Sequence, residues 1–245
     1  MSLNTPEIRQ RALAQRLARG GELDLAALAG EFGVSTDTMR RDLIALEERG
    51  LVERVRGGAV PRAVPAVPMT ERRNVLSEAV LTLALAQVAG ANTLVLDGGT
   101  SVAALAARLQ PRAGLLVVTP APAVALAAQA CGIEVALIGG TMSARGGIAT
   151  GAETCAALAR IAADVTVLGA CGLDAEFGLS SDDAGESAVK ATMAACAPRC
   201  LILTGAEKVG TRARHRTLPP ETIDLVITDR ALPALAEAPF EILHA

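Results

Sequence analysis

Glycines, hydroxyl side chains and a few charged residues follow the apolar runs of this sequence, where together they could bind a small anion. The clearest group is Asp97-Gly98-Gly99-Thr100-Ser101, directly after an apolar run over residues 93–96. Glycines let backbone N–H groups approach an anion, hydroxyls donate further hydrogen bonds, and the start of a following helix adds favourable partial charge. The other candidate ligand residues are Thr119, Gly139, Gly140, Glu186, Lys190 and Lys208.

Small residues with a few charges suit a compact, hydroxylated, anionic ligand. Each piece also has an ordinary structural interpretation, because turns that join a strand to Gly-Gly-Thr are common. Glu186 and Lys190 are four residues apart and could form a solvated helix pair worth a few tenths of a kcal/mol. Lys208 could simply be exposed. The sequence leaves both interpretations open for each residue.

A second group of charged residues lies on a segment typical of a helix that reads duplex DNA. Ser35 can cap a helix over residues 36–48, which has Met39, Leu43 and Leu46 on one face. The opposite face and the following hairpin supply short polar residues for base edges and guanidinium groups for guanine or phosphate. The predicted DNA-contacting residues are Ser35, Thr36, Asp37, Thr38, Arg40, Arg41, Arg54, Arg56 and Gly57.

Local signals predict the helices that position this segment. Asp24 is a plausible N-cap for the helix before it, and Gly33 can end that helix in the left-handed conformation. A further helix is predicted over about residues 6–19, with apolar positions at Ile8, Leu13 and Leu17. The alternative is an ordinary amphipathic helical hairpin whose arginines are only solvated.

The residues after the DNA-reading helix predict a wing and then a tether. Residues 51–56 alternate like a half-buried strand, and Gly57-Gly58 can form the tip of a hairpin. Prolines at 61, 65 and 68 disfavour a helix or a central strand, so an extended linker is expected. We therefore expect a winged helix-turn-helix domain over residues 1–60, a linker over 61–70 and a second domain over 71–245.

The second domain alternates apolar runs with helical patterns, which predicts an α/β fold. Continuous apolar runs are typical of parallel strands covered on both faces, and ligands of such folds gather at the carboxyl ends of the strands. The predicted fold class is α/β, an N-terminal winged helix-turn-helix followed by a larger, mostly parallel-sheet domain. Strands are predicted over residues 93–96, 115–119, 135–138, 165–168, 200–203 and 225–228, and helices over 102–109, 121–130, 153–161 and 186–194.

Composition limits the class of protein. The 245 residues suffice for two domains, and 51% of them are hydrophobic but only 1% aromatic. No apolar run reaches the ~18 residues of a membrane span, and the N-terminus lacks a signal-peptide pattern, so a cytoplasmic protein without a membrane partner is expected. Five cysteines without a C-x-x-C pair predict free thiols, and neither a metal site nor a cofactor. The net charge of −3 is weak evidence for nucleic-acid binding, since the arginines are placed only locally.

The motifs of both domains resemble the DeoR family of bacterial regulators. The family's helix and wing signature matches Val34-Ser35, residues 38–43 (TMRRDL), Leu46-Glu47, Gly50 and Gly57-Gly58. Its second-domain motifs match Asp97, Gly99, Thr100 and Ser101, then Gly139 and Gly140, the pair Glu186 and Lys190, and Lys208. This resemblance implies a sensor domain related to sugar-phosphate isomerases, which binds a phosphorylated sugar and thereby releases the protein from DNA.

Three departures from the family pattern cluster at the expected ligand loops. The usual T-N-S after the second strand is Thr119-Pro120-Ala121, and Ser143 stands where an arginine is common, although Arg145 is close. The family's D-[SH]-[ST]-K loop reads Gly205-Ala206-Glu207-Lys208. The resemblance therefore implies a ligand that differs from the usual effector or binds differently.

Two functions fit these features. The first is a transcriptional regulator, most often a repressor, which binds double-stranded DNA as a homo-oligomer (dimer or tetramer) and responds to a small effector such as a sugar phosphate. The alternative is an isomerase-type enzyme in which Glu186 is a general base and Lys190 or Lys208 stabilises an enediolate. A DNA-binding head gives an isomerase no obvious advantage, so we expect a regulator without catalytic residues.

Overall fold

The computed structural model divides the chain into two compact units, Met1–Ala66 and Val67–Ala245. The structure describes residues 5–18, 23–48, 52–55, 57–61, 76–142 and 146–245. The predicted linker therefore lies outside the described residues, except for Pro61. Pro61 is the last residue of a strand, one position beyond the predicted end of the first domain.

The first unit combines three helices with a three-stranded antiparallel sheet. Its elements are α1 (Pro6–Ala18), β1 (Leu23–Asp24), α2 (Leu25–Phe32), α3 (Thr36–Glu48), β2 (Val52–Val55) and β3 (Gly58–Pro61). The strand order is β1-β3-β2, and β2 and β3 form a hairpin in which Val55 lies opposite Gly58. This arrangement confirms the predicted helix-turn-helix with a wing.

The predicted caps of the two central helices are present. The Asp24 carboxylate accepts a hydrogen bond from the Ala27 N–H at 2.7 Å. Gly33 ends α2 with φ 62°, in the left-handed region that glycine adopts without steric cost. The Ser35 hydroxyl accepts a hydrogen bond from the Thr38 N–H at 3.1 Å at the start of α3. These short-range contacts set the turn between α2 and α3.

The core of the first unit is aliphatic and small. The prediction that Ile8 belongs to its apolar stripe is wrong, because Ile8 is 46% exposed. Arg9 and Leu13, four residues apart, occupy the inward face of α1, and Ile8 is rotated about 100° from Arg9 and about 140° from Leu13. The Leu17 side chain lies outside the description. The buried residues are Leu13, Leu28, Ala29, Met39, Leu43, Leu46, Val52 and Ala59.

The second unit is built on a seven-stranded sheet. Its strands are β4 (Thr93–Leu96), β5 (Leu116–Thr119), β6 (Glu134–Leu137), β9 (Val165–Leu168), β12 (Cys200–Leu203), β14 (Leu225–Thr228) and β15 (Glu241–His244). All neighbouring pairs are parallel, in the order β15-β14-β12-β9-β4-β5-β6. The helices are α4 (Glu78–Val88), α5 (Thr100–Ala106), α6 (Pro122–Ala130), α7 (Ala152–Leu158) and α8 (Ala184–Ala194).

Three kinds of short element in the described part of the second unit lie outside this regular pattern. Strands β7 (Thr141–Met142) and β8 (Ala149–Thr150) pair with each other. Strands β10 (Gly172–Asp174), β11 (Gly178–Ser181) and β13 (His215–Leu218) form a small antiparallel sheet. Three-residue 3-10 turns follow β12, β13 and β14, at Ala206–Lys208, Pro220–Thr222 and Pro233–Leu235.

The order of the main sheet creates a switch point at its centre. Strands β4 and β9 are neighbours. From β4 the chain proceeds outward through β5 to β6, whereas from β9 it proceeds in the opposite direction through β12 and β14 to β15. In open parallel sheets the ligand crevice lies at such a point, beyond the carboxyl ends of the strands.

Candidate functional site

Helix α3 has a buried face and an opposite face that bears the predicted DNA contacts. Met39, Leu43 and Leu46 are fully buried. The predicted DNA-contacting residues on the other face are exposed or half-exposed, as is the wing tip at Gly57. Arg56 lies outside the described residues. The residues placed together on this surface are Ser35, Thr36, Asp37, Thr38, Arg40 and Arg41.

Ion pairs orient the arginines of this surface. Asp37 lies 3.6 Å from Arg40 and 3.0 Å from Arg41, measured between carboxylate oxygen and guanidinium nitrogen. On the wing, the Arg54 Nε donates to Glu47 at 2.6 Å, and the Arg54 backbone N–H donates to the same carboxylate at 3.2 Å. Since Glu47 belongs to α3, this double contact ties the wing to the DNA-reading helix.

A buried ion pair joins α1 to α3. The Arg9 Nε donates to an Asp42 carboxylate oxygen at 2.8 Å, and the Gln10 amide donates to the other oxygen at 3.1 Å. Sequence reasoning treated Asp42 only as part of a family motif. Its position three residues after Met39 and four before Leu46 already placed it on the buried face of α3.

In the second unit, a cavity of about 70 Å³ lies at the switch point. It opens at the carboxyl ends of β4, β9 and β12 and is closed on one side by α8. Eight of the predicted effector residues line it, namely Asp97, Gly98, Gly99, Thr100, Ser101, Glu186, Lys190 and Lys208. Its other lining residues are Gly146, Ile148, Gly169, Ala170, Cys171 and Leu203.

A buried ion pair forms the floor of the cavity. The Lys190 ammonium lies 2.7 Å from Asp97 Oδ2 and donates to the Gly169 carbonyl at 2.7 Å. The Gly169 N–H donates to the same Asp97 oxygen at 2.9 Å. Burial disfavours the charged form of Lys190, but attraction to Asp97, Cys171 and Glu186 outweighs it, so the pKa of the ammonium is raised. The ammonium therefore stays protonated, and its contacts join the ends of β4 and β9 to α8.

The second carboxylate oxygen of Asp97 is unusual. Asp97 is 1% exposed, and its Oδ1 accepts no hydrogen bond from any residue that the structure describes. An unsatisfied buried polar atom costs about 1–3 kcal/mol, and more when it is charged. Such atoms are rare in folded proteins, so the unpartnered Oδ1 atom of Asp97 requires an explanation.

Two close approaches of backbone to side chain shape the cavity wall. Gly98 lies beneath Ile148, where any Cβ would overlap the Ile148 side chain. Gly146 lies against the Glu186 carboxylate, where a Cβ would likewise overlap. Glu186 is buried, and its backbone N–H donates to Asp183, the N-cap of α8, at 2.9 Å. A Cβ at position 98 would displace the Ile148 side chain, and one at position 146 would displace the Glu186 carboxylate, so either would change the cavity wall.

Three of the predicted effector residues do not line this cavity. Thr119 is fully buried, and its hydroxyl accepts a hydrogen bond from the Ala121 N–H at 3.1 Å at the start of α6. Gly139 and Gly140 follow β6, which lies at the edge of the sheet and is separated from β9 by two strands. Their position is explained by packing, since the Thr154 hydroxyl donates to the Gly139 carbonyl at 2.9 Å.

The remaining cavity residues come from the β7–β8 turn, from the run after β9 and from the last residue of β12. Gly146 and Ile148 reach the cavity from the turn between β7 and β8. The run 169–171 follows β9 directly and is one of the strand ends at which the sequence places small residues suited to a ligand. Ser143 and Arg145, two residues at which the family pattern was uncertain, lie outside the described residues.

Three further features of the described residues concern metal ligands, thiols and membrane spans. No group of three or more His, Cys, Asp or Glu side chains in the described part of the chain could hold a metal ion. The five cysteines are unpaired, and burial raises the pKa of the Cys200 thiol to about 12. None of the helices in the described ranges has the length and apolar character of a membrane span.

A winged helix-turn-helix and a parallel α/β unit with a charged cavity at its switch point define a class: DNA-binding regulators that carry their own sensor domain. Residues 9–62 match the DeoR-like helix-turn-helix domain, and residues 78–230 match the DeoR C terminal sensor domain. The chain belongs to the DeoR family of transcriptional regulators.

Curated relatives resemble the chain over nearly its whole length. The HTH-type transcriptional regulator GlpR of Haloferax volcanii is 30% identical over 234 residues, which cover 94% of this chain and 92% of that protein. The putative aga operon transcriptional repressor of Escherichia coli O157:H7 is 28% identical, covering 92% and 87%. The glycerol-3-phosphate regulon repressor of Escherichia coli K12 is 26% identical, covering 92% and 91%.

Among solved structures, a ribose 5-phosphate isomerase from Methanocaldococcus jannaschii is similar at a TM-score of 0.38 and 14% identity, over 53% of each chain. This similarity is too low to support an inference about activity. Because the family matches and the relatives are all regulators, the chain is a transcriptional regulator, and the alternative of an isomerase with a DNA-binding head is not retained.

Proposed function

We propose that this regulator is a repressor of carbohydrate-metabolism genes and that a phosphorylated sugar, or a similar small anionic metabolite, bound in the switch-point cavity releases it from DNA. The observation that supports this most directly is the convergence of Thr100, Ser101 and Lys208 on one small cavity beside the Asp97–Lys190 pair. Such a site has donors for an anion and is too small for a macromolecule.

The charges of the cavity indicate where the anionic group would bind. Lys190 is already compensated by Asp97 at 2.7 Å, so its ammonium adds little net attraction for a ligand. Lys208 is half-buried and forms no ion pair with a described residue. Thr100 and Ser101 line the same cavity as Lys208 and supply hydroxyl donors for an anionic group bound there. Charge-assisted hydrogen bonds are roughly twice as strong as neutral ones.

The names of two relatives support the proposal that this chain regulates carbohydrate-metabolism genes. One is named for the glycerol-3-phosphate regulon, another for the aga operon, and both are repressors. We propose that the present chain likewise represses genes of carbohydrate metabolism. It would bind chromosomal DNA in the cytoplasm as a dimer or tetramer. A homo-oligomer would place α3 of two protomers in the major groove at repeated half-sites, with Arg40 and Arg41 near base edges or phosphates.

Release requires that the effector distinguish two states of the protein. A ligand must favour one state by about 5.5 kcal/mol to move a two-state equilibrium from 1:99 to 99:1. The affinity of the oligomer for DNA then falls because the paired heads no longer match the spacing of the half-sites.

The test is a mobility-shift assay with the full chain on DNA from upstream of its own gene. A panel of sugar phosphates is compared with the corresponding unphosphorylated sugars. We expect at least one phosphate ester to release the DNA and its unphosphorylated sugar to have no effect. If no phosphorylated or similar anionic metabolite changes DNA binding, the sensor assignment is wrong.

Two variants separate the functions of the two units. Arg41→Ala should weaken DNA binding and increase its tolerance of salt, because fewer phosphate counterions are released, while effector binding is retained. Lys208→Met should raise the effector concentration needed for release. If Arg41→Ala binds DNA as tightly as the unaltered chain, the assignment of this face of α3 to DNA is contradicted.

A further inference from the structure

The Asp97 oxygen without a donor suggests what the cavity recognises besides an anion. Asp97 is buried beneath the cavity, and its two oxygens have different surroundings. Oδ2 accepts from the Gly169 N–H and lies 2.7 Å from the Lys190 ammonium, whereas Oδ1 has no hydrogen-bond partner among the described residues. The site therefore has one buried acceptor to which none of the described protein groups donates.

The chemistry of that acceptor limits the group that can face it. A phosphate or carboxylate oxygen has no proton to donate and would be repelled by the Asp97 charge. A second cation is disfavoured, because the Lys190 ammonium already lies 2.7 Å from the same carboxylate. A neutral donor meets both conditions, and in a small anionic metabolite that donor is a hydroxyl group.

We infer that Asp97 Oδ1 accepts a hydrogen bond from a hydroxyl of the effector, so that the sensor selects hydroxylated phosphate esters over anions that carry no hydroxyl. This inference rests on the proposed function and adds the selectivity of the same site. Asp97 is then the specificity-determining residue, and Lys208 is the residue that attracts the anion.

The burial of Oδ1 also connects the proposed hydrogen bond from the effector hydroxyl to a conformational change of the cavity. Oδ1 is covered by protein, so a ligand hydroxyl reaches it only when the cavity widens at Asp97. A hydrogen bond from the ligand hydroxyl to Oδ1 then stabilises the wider form of the cavity and not the narrower form. A difference in interaction between two states is what allows a ligand to shift their populations.

The experiment measures binding to the full chain by titration calorimetry. The probes are sn-glycerol 3-phosphate, D-ribose 5-phosphate and D-glucose 6-phosphate, with propyl phosphate as a reference that has a phosphate group but no hydroxyl. We expect the tightest hydroxylated probe to bind roughly 10- to 100-fold more tightly than propyl phosphate, the range for a hydrogen bond to a charged group.

Two variants assign that selectivity to a residue. In Asp97→Asn the ratio of the two affinities should fall towards one, because an amide nitrogen or a neutral oxygen replaces the charged acceptor. In Lys208→Met both affinities should fall by a similar factor, so that the ratio is kept. Thermal unfolding of Asp97→Asn shows whether the variant is folded, and the comparison of probes on the unaltered chain does not depend on it.

The outcomes distinguish this inference from the function on which it rests. Equal affinities for hydroxylated and reference phosphates, or an unchanged ratio in folded Asp97→Asn, overturn the inference and leave the proposed anion sensor intact. If none of the phosphate esters binds, the proposed function and the inference are both overturned.

Discussion

Replacing Asp42 by leucine should unfold much of the DNA-binding unit and leave the sensor unit folded. The Asp42 and Arg9 side chains are 4% and 6% exposed and lie 2.8 Å apart. Removing one member of such a pair costs about 3–5 kcal/mol, because the other charge remains buried without compensation. A unit of about 60 residues has a total stability of roughly 3–9 kcal/mol. The expected loss is therefore comparable to the whole stability of the unit.

Amide hydrogen exchange of the full chain is the appropriate assay, because it reports the two units separately. In Asp42→Leu, peptides from α2 and α3 should lose most of their protection, while peptides from β4 and β9 keep theirs. The double variant Arg9→Met, Asp42→Leu should recover much of the protection, since well-packed apolar replacements of a buried pair are often neutral or stabilising.

The matched control is the ion pair between Arg16 and Glu31, whose side chains are 49% and 55% exposed. Glu31→Gln should change protection little, because an exposed pair contributes about 0–1 kcal/mol. Two results would refute the reasoning. One is normal protection in Asp42→Leu, and the other is a double variant as unprotected as the single one.

Three further predictions concern local contacts. Ser35→Ala should destabilise the DNA-binding unit by about 1 kcal/mol through loss of a helix cap, and Ser35→Asp should not, as measured by thermal unfolding. Gly98→Ala should destabilise the sensor unit by about 1–3 kcal/mol in urea unfolding, because its methyl overlaps Ile148, and should cost little more when Ile148→Ala is already present. At pH 8, iodoacetamide should label Cys171 at the cavity well before Cys200, because burial raises the pKa of the Cys200 thiol to about 12 and leaves almost no thiolate. Equal labelling of the two cysteines, measured by mass spectrometry, would contradict the burial of Cys200.

The features predicted correctly from the sequence are those set by neighbouring residues or by continuous apolar runs. Asp24, Gly33 and Ser35 act within four residues of themselves, and each has the predicted role. All six predicted strands belong to the main sheet; β5 begins one residue later than predicted, and β6 begins and ends one residue earlier. A buried parallel strand is easily recognised because both of its faces are apolar.

The sequence predicted less where structure depends on distant partners. Strand β15 was missed because its end residues, Glu241 and His244, are polar and exposed and only two apolar residues lie between them, and β11 (GLSS) lacks an apolar run. The motif glycines 139 and 140 were placed in the ligand site, although β6 is the edge strand and holds them away from the cavity. Conversely, Gly146 and Ile148 reach the cavity only because the β7–β8 turn folds against it. No local sequence pattern predicts that contact.

The position of β4 between β5 and β9 has a consequence for how the protein is made. Residues 94–96 are fully buried, and one edge of β4 pairs with β5, which follows after about 20 residues. Its other edge pairs with β9, which is synthesised much later. The hydrogen bond from the Gly169 N–H to Asp97, at the ends of these two strands, spans 72 residues. At a synthesis rate of about 5–20 residues per second, that apolar edge stays open for roughly 4–14 s on each ribosome. During this interval the nascent chain exposes an unpaired strand edge, the kind of surface that chaperones cover and that aggregation exploits.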